Sequence, residues 1–132
     1  MIEDELRATP LFADVTPAGL AAAAEDAFEV AAGEVLARAG DRGSGMYLVL
    51  DGQVIVELRD RQIEIGPGGF FGELALLVPD AERVARVRAA TRVRAVSLPR
   101  STFEHLLETE PGFVRALLTE LARRLLAVRT AA

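Results

Sequence analysis

Residues 69–91, GFFGELALLVPDAERVARVRAAT, change character three times in quick succession. Phe70 and Phe71 read as core side chains of a short extended segment. Gly72 breaks that pattern, and Glu73-Leu74-Ala75-Leu76-Leu77 reads as a short helical turn starting at the glycine. Backbone N–H groups at such a start are unpaired and attract anions. The same dipole favours an acid there, which is the plainer account of Glu73. Residues 84–90 then read as a strand, so their side chains alternate between faces. Ala85, Val87 and Ala89 are small and apolar and are expected to face inward, with Arg86 and Arg88 on the wet face. Arg83 shares the inward parity. A guanidinium held indoors is costly unless paired. A bound phosphate would pair it through two parallel bonds; Glu73 or another acid would serve as a permanent partner instead.

Working outward, Gly66-Pro67-Gly68-Gly69 turns a corner or lets backbone approach a ligand. Glycines recur at 33, 40, 43, 45, 52, 66, 68, 69 and 72, between short runs of Val, Leu and Ile. That is the pattern of many short strands joined by turns. The runs at residues 46–50 and 54–58 flank Asp51-Gly52, the strongest local hairpin signal. Residues 59–61 would turn the chain into a further strand over 62–65.

Helical signals bracket this region. Thr16-Pro17 is an N-cap followed by proline at the first helical position, opening an alanine-rich helix over 18–27. Beyond Leu98, Ser101 and Glu104 have capping-box spacing, and Phe103, Leu106 and Leu107 give that helix an apolar face. Pro111 opens a longer helix in which Val114, Leu118, Leu121, Leu125 and Val128 alternate steps of four and three. Leu117 and Leu126 widen the stripe. Such a stripe suits a core face or a helix-to-helix dimer. The expected class is therefore α+β: an antiparallel, jelly-roll-like β-roll of about eight strands with an N-terminal helix and two C-terminal helices. The expected division of one domain over 1–132 is a helical segment 1–27, a roll 28–98 and helices over 101–131.

Composition removes several function classes. There is no cysteine, so thiolate metal sites and cysteine nucleophiles are excluded. A single histidine, His105, cannot make a multi-histidine metal centre and is expected at the surface. No metal, cofactor or catalytic constellation is expected. A net charge of −5 argues against nonspecific nucleic-acid binding, and Arg86, Arg88, Arg92 and Arg94 read as a solvated face. No run reaches membrane-spanning length, and the N-terminal MIEDELRATP lacks an apolar signal core. A cytoplasmic location is expected.

Taken in order, these residues resemble the cyclic nucleotide-binding domains, such as the sensing domains of catabolite activator proteins and of the kinase A regulatory subunits. Pro10-Leu11-Phe12, Gly33-Glu34-Val35-Leu36, Gly40-Asp41 and residues 46–52, MYLVLDG, all match in order. The most specific piece is the phosphate-binding cassette, residues 71–76, FGELAL, followed by Arg83-Val84-Ala85. The resemblance implies that Glu73 accepts a hydrogen bond from a ribose 2′-hydroxyl and that Arg83 grips the cyclic phosphate. Backbone amides around Gly72, Glu73, Leu74 and Ala75, and at Val84, would complete the cradle.

In the family the last helix often caps the base; that end carries Arg124, Val128, Arg129 and Thr130 here, with Arg124 and Arg129 as candidate base contacts. That end of the last helix is one of three departures from the pattern; the other two are single positions. Val84 stands where a small residue, often serine or alanine, is usual, and offers no hydroxyl to a phosphate. Arg86 stands where some relatives have a threonine that favours guanine, which points to cyclic AMP ahead of cyclic GMP.

The resemblance thus implies a regulatory sensor, not an enzyme, in which ligand binding moves the last helix. The partners it implies are the nucleotide, an unknown effector protein and a second copy of the chain through that helix, with no DNA and no membrane. Many relatives carry a helix-turn-helix domain after this helix; the sequence ends at Ala132, so a partner protein or a longer polypeptide would carry the output. The competing expectation, favoured by Val84, is a degenerate roll that binds no nucleotide and acts as a dimerisation or docking module.

Overall fold

The computed structural model describes residues 1–37, 45–78 and 86–131. In chain order these form α1 (Ile2–Arg7), α2 (Pro17–Ala23), a 3-10 turn (Ala24–Asp26), β1 (Ala27–Val30), β2 (Val35–Ala37), β3 (Gly45–Asp51), β4 (Val54–Glu57) and β5 (Gln62–Ile65). They continue with β6 (Phe70–Phe71), α3 (Leu74–Leu77), β7 (Arg86–Ala89), β8 (Val93–Pro99), α4 (Arg100–Thr109) and α5 (Pro111–Ala131). The strands make two antiparallel four-stranded sheets, ordered β1-β8-β3-β6 and β2-β7-β4-β5. The architecture is the α+β β-roll that the strand and helix signals predict.

The first sheet separates two apolar clusters because its strands alternate. Met46, Leu48, Val96 and Leu98 face the helices, where Leu6, Phe12, Leu20, Phe103, Leu106, Phe113 and Leu117 are buried with them. Val49, Val93 and Ala95 point the other way, into the roll, and meet Val54, Phe71, Val87 and Ala89. Phe113 joins the N-terminal segment to both C-terminal helices: its ring lies 5.5 Å from that of Phe12 and 6.0 Å from that of Phe103.

Asp51-Gly52 does not close a hairpin. β3 pairs with β6 and β8, whereas β4 pairs with β5 and β7, so the turn carries the chain from one sheet to the other. The turn chemistry is as expected: Gly52 has φ +91°, and its N–H donates to Asp51 Oδ1 at 3.0 Å. Turn residues fix a reversal of direction, and long-range pairing decides which sheet receives the next strand. The local hairpin is β4–β5, with Val54 opposite Ile65 and Glu57 opposite Gln62.

Three helical boundaries also differ from expectation. The helix capped by Thr16 ends at Ala23, because Ala27 is already paired with Val96 in the first sheet. The Ser101–Glu104 capping box does not form: Pro99 occupies the N-cap and Ser101 lies inside α4. α1, which composition does not announce, is anchored by fully buried Leu6.

On α5 the packed face is Phe113 and Leu117, with Leu121 partly buried. Leu118, Leu125 and Val128 of the regular stripe are exposed. Among the described residues, no helix is long and apolar enough to cross a membrane.

The α2 N-terminus is capped twice. The Gly19 N–H donates to Thr16 Oγ1 at 3.3 Å, as the sequence predicts. The buried carboxylate of Glu110, between α4 and α5, accepts from the Thr16 N–H at 2.9 Å and from the Thr16 hydroxyl at 2.5 Å. Both oxygens of this buried acid are therefore occupied, and the N-terminal helices are tied to the joint of the C-terminal pair.

Candidate functional site

The site begins where β6 ends. Alternation sends Phe70 towards the helices and Phe71 into the roll, where its ring stacks on Tyr47 at 5.1 Å. Gly72 then adopts φ +93°, a conformation that L side chains rarely adopt, and redirects the chain into α3. Glu73 is the N-cap of α3 and is only 3% exposed. Its backbone carbonyl accepts from Leu76 N–H at 3.0 Å and Leu77 N–H at 2.9 Å, which closes the short helix.

Burying a carboxylate requires partners, and Glu73 has one for each oxygen. Oε2 accepts from the Leu74 N–H at 3.1 Å. Oε1 accepts from the Arg124 guanidinium of α5 at 2.8 Å. Arg124 is held on every side: it also donates to the Phe70 carbonyl at 2.6 Å and to Glu120 Oε2 at 3.2 Å, and lies 4.4 Å from the centre of the Phe70 ring. A second arginine reaches the far end of α3. Arg100, the first residue of α4, donates to the carbonyls of Ala75 and Leu76 at 3.3 Å each.

Gly72, Glu73, Leu74 and Ala75 thus lie together at the β6–α3 bend, and Arg124 joins them from the last helix. The sequence marks both Glu73 and Arg124 as site residues without pairing them. Arg83 and Val84 lie outside the described residues, as do Gly40, Asp41, Ala85 and the side chain of Arg129. Sequence reasoning misses Arg100; the available signal is a cation at a helix start, where the dipole disfavours it.

Four further arginines, Arg86, Arg88, Arg92 and Arg94, form ion pairs at the surface. On β7, Arg86 meets Glu57 at 2.7 Å and Arg88 meets the same carboxylate at 3.4 Å, while Val87 and Ala89 are buried, matching the expected alternation. The bond from Arg86 holds the Glu57 carboxyl below its ordinary range, aided by Arg88 and against some desolvation. Arg92 pairs with Glu29 at 2.5 Å, and Arg94 grips Glu5 of α1 at 2.5 and 3.0 Å. The bond from Arg94 likewise lowers the Glu5 carboxyl. His105 is exposed on α4. Among the described residues, no group of three or more potential metal-ligating side chains comes together.

The bend, the buried acid and the short helix follow the order of the cassette that the sequence resembles. The family model described as the cyclic nucleotide-binding domain matches residues 27–110. A cyclic nucleotide-gated potassium channel of Mesorhizobium japonicum is 41% identical over 120 residues, covering 89% of this chain and 33% of the channel. A cAMP-dependent protein kinase regulatory subunit of Colletotrichum orbiculare is 38% identical over 121 residues, covering 87% of this chain and 30% of that subunit. A structure solved in work on a cyclic-GMP-dependent signalling pathway regulating bacterial phytopathogenesis superposes with a TM-score of 0.72. It shares 32% identity, over 85% of this chain and 94% of its own. The chain spans a third or less of the length of the curated relatives named here. On its cassette residues, its two-sheet roll and these matches, the chain belongs to the cyclic nucleotide-binding domain family.

Proposed function

We propose that the chain is a regulatory module, not a catalyst, that senses cyclic AMP and reports it through α5. The observation that carries this reading is the buried Glu73 carboxylate, already bonded to Arg124 of α5. A carboxylate has about four lone-pair directions. A ribose hydroxyl reaching Glu73 therefore shares an acceptor with the last helix, and ligand occupancy becomes linked to helix position. The ligand shifts the equilibrium of α5 only by its difference in affinity for the two helix positions.

Arg83 supplies the cation for the cyclic phosphate, a monoanion, and the amides at Ala75 and Val84 complete the cradle, joined by that of Leu74 once it leaves the Glu73 carboxylate. A charge-assisted bond of that kind contributes about 1.5–3 kcal/mol. Arg129 is the remaining candidate for the base. Preference for cyclic AMP over cyclic GMP is supported by Arg86, which offers no hydroxyl to guanine and is engaged with Glu57. The exposed Leu118, Leu125 and Val128 support association of two copies along α5. The setting we infer is the cytoplasm.

The test is a thermal melt with cyclic AMP, cyclic GMP or 5′-AMP. Ligand at about 100 times its dissociation constant stabilises by about 2.7 kcal/mol, a shift of about 10 °C for a domain of this size. The expected order is cyclic AMP, cyclic GMP, then 5′-AMP. Arg83→Leu is expected to abolish the shift and still fold. Full binding by Arg83→Leu would refute the site. No shift with any of the three would leave a docking module, for which the exposed α5 face speaks.

A further inference from the structure

A cation at the first position of a helix opposes the helix dipole, which favours acids there and bases at the other end. Arg100 occupies that position in α4. Its guanidinium turns back to another helix end, where the Ala75 and Leu76 carbonyls accept from it at 3.3 Å. Those carbonyls belong to the C-terminal turn of α3, where a cation is favoured. The interaction with its own helix is weaker: Glu104, one turn on, is 3.9 Å away and exposed.

α3 has only four residues, far below the length at which a helix holds itself together. Its placement must come from outside. One tie is made at its start, from Arg124 of α5 to Glu73. The other is made at its end, from Arg100 of α4. Leu76 packs into the helix-side core, and the two ties come from the two helices that follow the roll, so α3 cannot shift relative to α4 and α5 without straining one of them.

The geometry points to Arg100 as a positioning residue for nucleotide binding, one that fixes α3, and with it Glu73, against the start of α4. This rests on the reading of the cassette as the nucleotide site. Arg100 itself touches no ligand; it acts through the α3 backbone.

Two measurements test it on the whole chain. The first uses no ligand: amide hydrogen exchange at Leu76, Leu77 and Val78, whose N–H groups bond to Glu73 and Leu74 carbonyls at 2.9–3.0 Å. Arg100→Met is expected to speed these amides about tenfold while those of β3 stay unchanged. Unchanged rates at α3 overturn the proposal whether or not the protein binds nucleotide.

The second is calorimetric titration with cyclic AMP. Arg100→Met is expected to weaken binding about five- to tenfold, a loss discounted for the half-exposed site, with the ligand-free urea midpoint nearly unchanged. Arg100→Lys is expected to recover most of the affinity, because an ammonium reaches at least one of the carbonyls. Glu104→Ala, which removes only the partner on α4, is expected to bind like wild type. Equal binding by wild type and Arg100→Met overturns the role of Arg100, as does an equal loss in Glu104→Ala. A wild-type protein that binds neither cyclic AMP nor cyclic GMP refutes the cassette reading itself, which is a different result from equal binding by the two chains.

Discussion

At the scale of single residues, the Glu73–Arg124 pair concentrates the energetics of the site. Glu73 is buried and Arg124 half-exposed, so removing the arginine strands an acid while removing the acid frees a solvated base. Arg124→Met is therefore expected to lower stability by about 1–3 kcal/mol, read as a fall in the urea midpoint. Glu73→Gln, whose amide oxygen still accepts from Arg124 but whose NH2 then faces the Leu74 N–H, is expected to cost less, because no charge is left buried without a partner. Equal losses in the two variants would mean that the carboxylate is not the buried partner that matters. Glu73 is legible in the sequence because a local motif, a glycine bend followed by an acid, surrounds it. Its partner lies 51 positions away, and no local pattern of charge or periodicity encodes that distance. The acceptors of Arg100 are unreadable for the same reason: they are carbonyls 24 and 25 positions upstream and carry no side-chain signature at all.

At the scale of elements, sequence period reports that a helix is amphipathic without saying what covers its apolar side. The stripe from Val114 to Val128 is real, yet the core takes the adjacent face, Phe113 and Leu117, and leaves Leu118, Leu125 and Val128 in solvent. If two chains associate along this stripe, Leu118→Glu with Leu125→Glu is expected to halve the mass measured by light scattering. The melting temperature at low protein concentration should move little, since exposed substitutions usually stay within about 0.5 kcal/mol. An unchanged mass would remove the helix-to-helix dimer. Turn and cap chemistry has the same limit. Asp51-Gly52 makes the expected tight reversal but leads into the other sheet. Ser101 and Glu104 have the spacing of a cap, but the extended conformation of Pro99 starts the helix earlier. Phe70 and Phe71 fare better, because strand alternation alone sends one ring to each apolar cluster.

At the scale of the whole molecule, surface ion pairs stitch segments together and make stability depend on acidity. Glu5 on α1 is held by Arg94 on β8, and Glu57 on β4 by Arg86 on β7; both carboxyls titrate below the ordinary glutamate value of 4.5. A carboxyl whose folded pKa is lowered contributes stability in full above its unfolded value and loses it as pH falls through the folded one. The melting temperature is therefore expected to show no change from these pairs between pH 7 and 5, where their contribution is complete, and to fall below about pH 4.5. The fall should be shallower in a Glu5→Gln, Glu57→Gln double variant, and shallower in wild type at high salt, because both pairs are at the surface. A wild-type acid limb identical to that of the double variant would assign the loss to other groups. The pairing order of the first sheet has one more consequence. β8 sits between β1 and β3, and Ala27 finds its partner only at Val96. On the ribosome, then, β1 and β3 emerge with their edges bare, and no N-terminal portion of the nascent chain can assemble that sheet before β8 is made. Such late-closing strands are the exposure that chaperones guard, so a stalled or prematurely terminated chain lacking β8 would be a substrate for proteolysis and not a smaller folded domain.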